Sequence, residues 1–230
     1  MDLNIGPLLA TLFVFQIFSL YLFSKLLIQS LGRLFLTLTG SHTKMVHLLA
    51  LLFLPGTFVH ESAHAFVATI TLVTVHDFHL FPKVEENGIR LGSVEISRSD
   101  PFRRALIGVA PIIMGVISLL TITWLVEYKI PVAWSSWWIY LLLSYATFVI
   151  SNTMFSSKKD IEGAILTIVL LICLVAALLI LKFNQPFILF GDFLNNHAQF
   201  LFKLNIYLLV PILIDLIIFS LFKLLKINRY

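Results

Sequence analysis

The sequence predicts an all-α polytopic membrane protein with about six transmembrane helices and a small β-like hairpin after the second helix. Hydrophobic residues make up 59% of the chain and charged residues only 12%. The mean hydropathy is +0.98, far above the value typical of a water-soluble protein. The longest polar interval covers only about residues 76–104, which is too short for a separate soluble domain. We therefore assign residues 1–230 to a single integral membrane domain.

Six apolar segments are long enough to cross a bilayer, because a helix of about 20 apolar residues spans its hydrocarbon core. They cover residues 5–28, 45–75, 102–126, 134–155, 163–181 and 204–225. Residues 29–44 mix charged and apolar side chains, and we interpret them as a connector at the membrane interface. Residues 184–200 are predicted to form a second, amphipathic connector.

The polar interval after the second segment has the spacing of short strands. The apolar residues with this spacing are Ile89, Leu91, Val94 and Ile96. Asn87 and Gly88 are typical of a tight turn, so we expect residues 83–85 to pair with residues 89–91 as a β-hairpin. An ordinary solvated loop is the alternative.

The third segment begins with a helix-start pattern. Asp100 is a typical N-cap residue, and Pro101 suits the first position of a helix, where no backbone N–H is needed. A helix is therefore predicted to begin at Pro101.

A His-Glu-x-x-His sequence at residues 60–64 lies inside the second apolar segment. Residues four apart share a helix face, so His60 and His64 can bind one metal ion, with Glu61 beside them as a base acting on water. Zinc suits such ligands and lowers the pKa of water that it binds. Pro55 is predicted to kink or break this helix one turn earlier. The alternative is a polar group that forms hydrogen bonds between helices without a metal.

A catalytic zinc needs a third protein ligand. The candidates in the sequence are His42, His47, His76, His79, Asp160, Glu162, His197 and Asp215. His47 is too far from His60 along the same helix, at about 20 Å. Asp160 follows a helix end that is rich in small and polar residues. A non-helical backbone at such a place can be tolerated at membrane depth when it is buried in protein. The residues alone leave the choice of third ligand open.

These features together resemble the site-2 protease family of intramembrane zinc metalloproteases. The resemblance rests on residues 60–64, the β-like loop, the run 105–111 that opens the next span, and Asn152 eight residues before Asp160. It covers a core of about residues 45–165, outside which lie the spans at 5–28, 163–181 and 204–225. The chain resembles a divergent, minimal member without a PDZ domain, and it differs from the family pattern at Met114 and Ile161.

The resemblance implies that His60, His64 and Asp160 bind one Zn²⁺ and that Glu61 is the general base. It implies a place for Asn152 near the substrate carbonyl or the bound substrate backbone. The expected function is that of a zinc metalloprotease cleaving peptide bonds in or near the transmembrane segments of a membrane protein.

Two other functions are compatible with the sequence. A catalytically inactive scaffold or chaperone could retain the protease fold. A metal transporter needs ionisable groups in several spans, and Asp215 is the other deep acid in the apolar segments. The expected partners are a membrane protein substrate and the lipid bilayer. Nucleic acid is excluded as a partner because no basic cluster with interleaved aromatic residues occurs.

Lys and Arg indicate the orientation of the chain. With residues 76–104 in the cytoplasm, six spans place more Lys and Arg inside than outside. The expected location is therefore the cell membrane, with the site nearer the cytoplasmic side.

Overall fold

The computed structural model describes residues 5–85, 88–90, 92–128, 137–155 and 158–224, with the side chains of all but 83–85, 88–90, 127–128 and 158–164. The described chain is mostly helical, with seven α-helices and four short β-strands. The helices are α1 (Ile5–Thr39), α2 (His42–Ile70), α3 (Pro101–Tyr128), α4 (Trp137–Thr153), α5 (Lys158–Ile180), α6 (Gln185–Asn196) and α7 (Ala198–Leu224). The strands are β1 (Val75–His79), β2 (Lys83–Glu85), β3 (Gly88–Arg90) and β4 (Ser93–Ile96).

Four of these helices, α1, α2, α3 and α7, are long and apolar enough to cross a membrane. This confirms a mostly helical protein with helices able to span a membrane, and the number of six spans stays a prediction. The helix α4 has 17 residues, and the apolar part of α5 whose side chains are described runs from Ile165 to Ile180. Both are shorter than the roughly 20 residues that span a bilayer.

The helix α1 is longer than predicted. Its 35 residues correspond to about 52 Å of helix, and they include most of the stretch that was interpreted as an interfacial connector. Residues 29–39 continue this helix, because Leu31 is buried and Leu34 and Phe35 pack against the core. Their location at the membrane interface stays a prediction. The chain turns at Gly40, whose φ of 62° favours glycine.

The main core lies between α1, α2, α4 and α7. Among its most completely buried apolar side chains are Leu20 and Leu27 of α1, Phe53 of α2, Val149 of α4 and Leu208 of α7. The rings of Phe53 and Phe148 stack across the contact between α2 and α4, with their centroids 5.9 Å apart. The helix that carries the His-Glu-x-x-His sequence is therefore held from several sides.

Pro55 does not break α2, which runs unbroken from His42 to Ile70. Of the two predicted outcomes, the break is therefore wrong, and the kink stays a prediction. Proline removes the N–H that would bond to the carbonyl of Leu51, and the Tyr145 hydroxyl donates a 2.6 Å hydrogen bond to the next carbonyl, that of Leu52. A neighbouring helix thus provides a hydrogen bond at the turn that proline disturbs, as is common at membrane depth.

Glycine allows α2 and α4 to approach each other closely. A Cβ atom on Gly56 would lie 2.8 Å from the carbonyl carbon of Val149 and 2.5 Å from Oγ1 of Thr153. On α3, Gly115 makes a similar approach to Met154, whose Cγ would lie 2.5 Å from an added Cβ atom. Small residues at helix contacts are a general feature of membrane helix packing.

The polar interval between α2 and α3 forms two antiparallel strand pairs. The strand β2 pairs with β3 through Lys83 and Arg90, Val84 and Ile89, and Glu85 and Gly88. The predicted hairpin is therefore confirmed, with its second strand beginning one residue earlier than expected. Asn87 lies outside the described residues. The outer pair of β1 with β4, which includes an irregularity between Val75 and Asp77, was not predicted.

The outer strand pair packs against the ends of α2 and α3. A second apolar cluster joins Ala68 of α2, Val73 after it and Ile107 of α3, with Val75 and Ile96 against them. The chain leaves α2 through Leu72, whose φ is 60°. This packing holds the strands beside the helix that carries His60 and His64.

The predicted helix start at Pro101 is confirmed. The Oδ1 atom of Asp100 accepts hydrogen bonds of 3.0 Å from the backbone N–H groups of Phe102 and Arg103. The bond from the Arg103 N–H is the main cause that holds the pKa of Asp100 below its usual 3.8.

Replacing Asp100 by Ala is expected to fray the first turn of α3, so that the amide hydrogens of Phe102 and Arg103 exchange with solvent several times faster. Asn at position 100 caps equally well and should preserve their protection. Because the native pKa of Asp100 is lowered, the contribution of its carboxylate is present above about pH 3.8 and is lost as the pH falls through the native pKa. Hydrogen exchange measured by mass spectrometry checks this, and equal protection in the Ala and Asn variants would contradict it.

Candidate metal centre

The helix α2 places His60, Glu61 and His64 close together in the interior. His60 and Glu61 are 3% and 6% exposed, and His64 is half-buried. The two imidazoles are on one face of the helix, with their planes at 80° and their ring centroids 4.9 Å apart. The structure therefore brings the two imidazoles together and buries Glu61 next to His60 along the helix.

The distance between the two imidazoles suits a shared metal ion. The Nε2 atoms of His60 and His64 lie 3.2 Å apart. Two nitrogens at this separation subtend an angle of about 100° at a zinc ion roughly 2.05 Å from each. The ideal tetrahedral angle is about 109°, so the pair fits two of the ligand positions of a zinc site. The same distance also fits a direct hydrogen bond between the rings.

A backbone carbonyl on α3 orients the second imidazole. The Nδ1 atom of His64 lies 2.9 Å from the carbonyl oxygen of Ile107, which can only accept a hydrogen bond. Nδ1 of His64 therefore carries a proton, and in the neutral imidazole the lone pair is on Nε2, which faces His60. Metal-binding histidines are commonly held by such a bond from their other nitrogen.

The polypeptide just before β4 lies against Glu61. A Cβ atom on Gly92 would lie 3.0 Å from both Cγ and Oε1 of Glu61, and 2.7 Å from Cγ2 of Thr57. Gly92 and Ser93 are both buried at this contact. The outer strand pair thus begins directly beside the carboxylate.

The described side chains do not include a third metal ligand beside His60 and His64. Among the side chains that the structure describes, no group of three or more His, Cys, Asp or Glu residues could hold a metal ion. The side chain of Asp160, the third ligand implied by the family resemblance, is outside that set, as is that of Glu162. The backbone places Asp160 in the first turn of α5.

Other candidates for the third ligand make contacts elsewhere. The Nδ1 atom of His47 lies 2.7 Å from the carbonyl oxygen of Thr43, and that of His197 lies 2.8 Å from the carbonyl oxygen of Phe193. The Nε2 atom of His76 lies 2.8 Å from the Ser97 hydroxyl oxygen.

Asn152 is directed toward α7. It is fully buried, and its amide nitrogen donates bonds of 2.8 Å to Oδ1 of Asp215 and 2.9 Å to the carbonyl oxygen of Phe148. Asp215 is therefore part of a hydrogen bond between helices, the role that such a residue most often has in a membrane span. The structure gives Asn152 this packing role, and its place near a substrate stays a prediction.

Three features in or near this site were not predicted from the sequence. The carbonyl of Ile107 has no signature in a sequence, because every residue carries one. Gly92 and Thr57 belong to no motif that the sequence shows. The pairing of Asn152 with Asp215 joins residues 63 positions apart, and neither residue identifies the other.

The chain matches no family model, no curated protein and no solved structure.

Proposed function

We propose that this protein is an intramembrane zinc metalloendopeptidase that cleaves peptide bonds in or near transmembrane segments. The observation that carries the proposal is the pair of Nε2 atoms of His60 and His64, 3.2 Å apart in the interior, with Glu61 adjacent. Buried ionisable residues in a membrane helix are costly and usually functional. The resemblance to site-2 proteases supports the same activity.

In this proposal, His60, His64 and Asp160 hold one Zn²⁺. The ion would polarise the scissile carbonyl and make water more acidic. Glu61 takes a proton from the attacking water, and the water oxygen forms a bond to the carbonyl carbon. Glu61 then returns the proton to the amine nitrogen as the carbon–nitrogen bond breaks. The bond from His64 to the carbonyl of Ile107 keeps the imidazole in the tautomer that binds a metal.

The strands provide a place for an extended substrate. Each described pair, β1 with β4 and β2 with β3, has two strands, so each has edges on which another strand can form backbone hydrogen bonds. Because the chain just before β4 contacts Glu61 through Gly92, a segment added to this pair would run close to the carboxylate. Asn152 would contact the bound substrate backbone, as the resemblance implies.

The proposal includes the membrane topology. The helices α4 and α5 add two shorter crossings to the four long ones, giving about six spans. The excess of Lys and Arg places residues 76–104 on the cytoplasmic side of the cell membrane.

The second candidate is a membrane scaffold that keeps this fold without turnover. It is favoured by one observation: a direct hydrogen bond between His60 and His64 accounts for the 3.2 Å distance without any metal. The two functions differ in whether the purified protein contains a metal.

Elemental analysis of the purified protein tests the proposed site. We expect about one zinc per chain in the wild type and close to none in His64→Ala and Asp160→Ala, because each variant removes a ligand. His47→Ala is the matched control, since His47 is exposed on the same helix and contacts the carbonyl of Thr43. It should retain the zinc.

Two results would contradict parts of the proposal. Zinc retained without Asp160 would show that another group is the third ligand. A wild-type protein without metal would favour the scaffold.

A further inference from the structure

An open groove of about 440 Å³ lies at the turn between α1 and α2. Its volume is within the roughly 300–1,000 Å³ that is usual for ligand sites. Thr39, the last residue of α1, lines it together with side chains from the first three turns of α2. Those side chains are Thr43, Lys44, His47, Leu48 and Leu51.

The lining of this groove changes from polar to apolar along α2. Lys44 is beside the turn, and Leu48 and Leu51 follow about 6 and 10 Å further along the helix axis. Both leucines are exposed, at 38% and 69%. Because α2 is long and apolar enough to cross a membrane, this order places the ammonium group near the headgroups and the leucines beside the acyl chains. A phospholipid has the same order of phosphate and hydrocarbon.

The segment around the groove carries positive charge without a local counter-charge. No Asp or Glu occurs between Asp2 and Glu61. The same stretch contains Lys25, Arg33 and Lys44. Glu61 is about 25 Å from Lys44 along the axis of α2. The strands follow the opposite end of α2, so the rule that concentrates Lys and Arg on the cytoplasmic side does not account for these cations. An anionic ligand is their electrostatic complement.

His47 adds a second polar contact near Lys44. Its Nδ1 atom lies 2.7 Å from the carbonyl oxygen of Thr43, which can only accept a hydrogen bond, so Nδ1 carries a proton. Nε2 of His47 can then accept a hydrogen bond from a headgroup hydroxyl or, in the protonated ring, donate one to a phosphate oxygen. Lys44 provides three N–H donors of its own.

A second groove, between α1 and α3, differs in its chemistry. It has a volume of about 290 Å³, and all of its lining residues are apolar, among them Val14, Ile17, Ile113 and Ile117. Lipid tails alone suit such a surface. The cation and the imidazole therefore distinguish the groove at the α1–α2 turn from an ordinary lipid-facing groove of this molecule.

We propose that the groove at the α1–α2 turn binds one anionic phospholipid of the bilayer. Its phosphate contacts Lys44 and His47, and one acyl chain lies along Leu48 and Leu51. The bound lipid holds this turn at the level of the headgroups. This inference goes beyond the proposed peptidase function and does not depend on it.

Native mass spectrometry of the full-length, delipidated protein tests the proposal. Phosphatidylglycerol and phosphatidylcholine with identical acyl chains are titrated separately, because these lipids differ in net charge. We expect the first phosphatidylglycerol to bind at least about fivefold more tightly than phosphatidylcholine, the effect of one cation near an anionic headgroup. In Lys44→Gln, the affinity for phosphatidylglycerol should fall about fivefold and that for phosphatidylcholine should stay within about twofold.

Two further variants separate charge from apolar contact. Lys182→Gln is the control, because Lys182 is an exposed lysine two residues after α5. It should bind phosphatidylglycerol like the wild type. Leu51→Ser shortens the apolar part of the groove at an exposed position and should weaken the binding of both lipids about three- to tenfold. Circular dichroism checks that all variants remain helical.

Equal affinity of the wild type for the two lipids would overturn the proposal, and so would an unchanged affinity for phosphatidylglycerol in Lys44→Gln. An equal loss in Lys44→Gln and Lys182→Gln would show a general attraction to a cationic protein instead of a site. Displacement of the lipid by an excess of inorganic phosphate would show that a free anion is the ligand. These measurements involve neither zinc nor peptide cleavage, so their failure is distinct from failure of the proposed function.

Discussion

Replacing Glu61 by Gln is expected to lower the cleavage rate of membrane-embedded peptides about 10²- to 10⁴-fold while bound zinc is retained. A positioned general base contributes roughly this factor to catalysis. Gln is close to Glu in shape, and it cannot take a proton from water. Glu61 is 6% exposed, and its Cγ and Oε1 atoms lie beside the position of a Cβ atom added to Gly92. Bulk water therefore does not reach this place to act as the base instead.

The measurement uses purified protein in proteoliposomes with a panel of fluorogenic single-span peptides. Metal content is determined on the same samples. Asp192→Asn is the control, because Asp192 is exposed on α6, away from the strands, and the change likewise converts a carboxylate to an amide. It should cleave at the wild-type rate.

Full activity of Glu61→Gln with zinc bound would rule out the proposed mechanism, in which Glu61 is the general base. An inactive wild type with intact helices and no metal would instead favour the scaffold. Loss of zinc in Glu61→Gln would indicate that the Glu61 carboxylate is a metal ligand and not the general base.

Local patterns in the sequence predicted much of the fold correctly. The span that became α3 was located by its apolar run and by the cap at Asp100, because both signals depend on residues adjacent in the chain. The β2 and β3 hairpin followed from its turn chemistry in the same way. The His-Glu-x-x-His spacing likewise placed His60 and His64 on one face.

The errors arose where distant residues decide the structure. Judged by neighbouring residues alone, Pro55 and the mixed residues 29–39 each suggest that a helix is interrupted. In the structure both lie inside continuous helices. Tyr145 of α4 bonds to the carbonyl beside the proline, and Leu31 is buried in the main core. Packing against other helices overrode the local preference in each case, and a single sequence does not show which helices will be neighbours.

The candidate site shows the same division. The motif specified the residues, whereas the contact of His64 with Ile107 depends on how α3 lies against α2. The approach of Gly92 to Glu61 depends on the outer strand pair, which was not predicted. The sequence therefore predicted the candidate residues, and tertiary packing provided their supporting contacts.

Replacing Gly56 by Ala is expected to destabilise the protein by about 1–3 kcal/mol, because the added methyl group would overpack the contact between α2 and α4. Two of the atoms closest to the new Cβ belong to the backbone of Val149, and the carbonyl carbon lies 2.8 Å away. Backbone atoms inside a helix cannot rotate aside as a side chain can. Without this clash, Ala in a helix would be more stable than Gly by roughly 0.5–1 kcal/mol.

Gly191→Ala provides the matched control. Gly191 lies inside α6, and nothing lies within 4 Å of its added Cβ, so this variant should be as stable as wild type or slightly more stable. Unfolding in detergent micelles, followed by circular dichroism, compares the three proteins. Gly56 is also one turn before His60, so the helix shift that relieves the clash should displace the imidazoles and weaken zinc binding in Gly56→Ala alone. Unfolding of Gly56→Ala at or above the wild-type midpoint would show that α2 and α4 do not meet at Gly56.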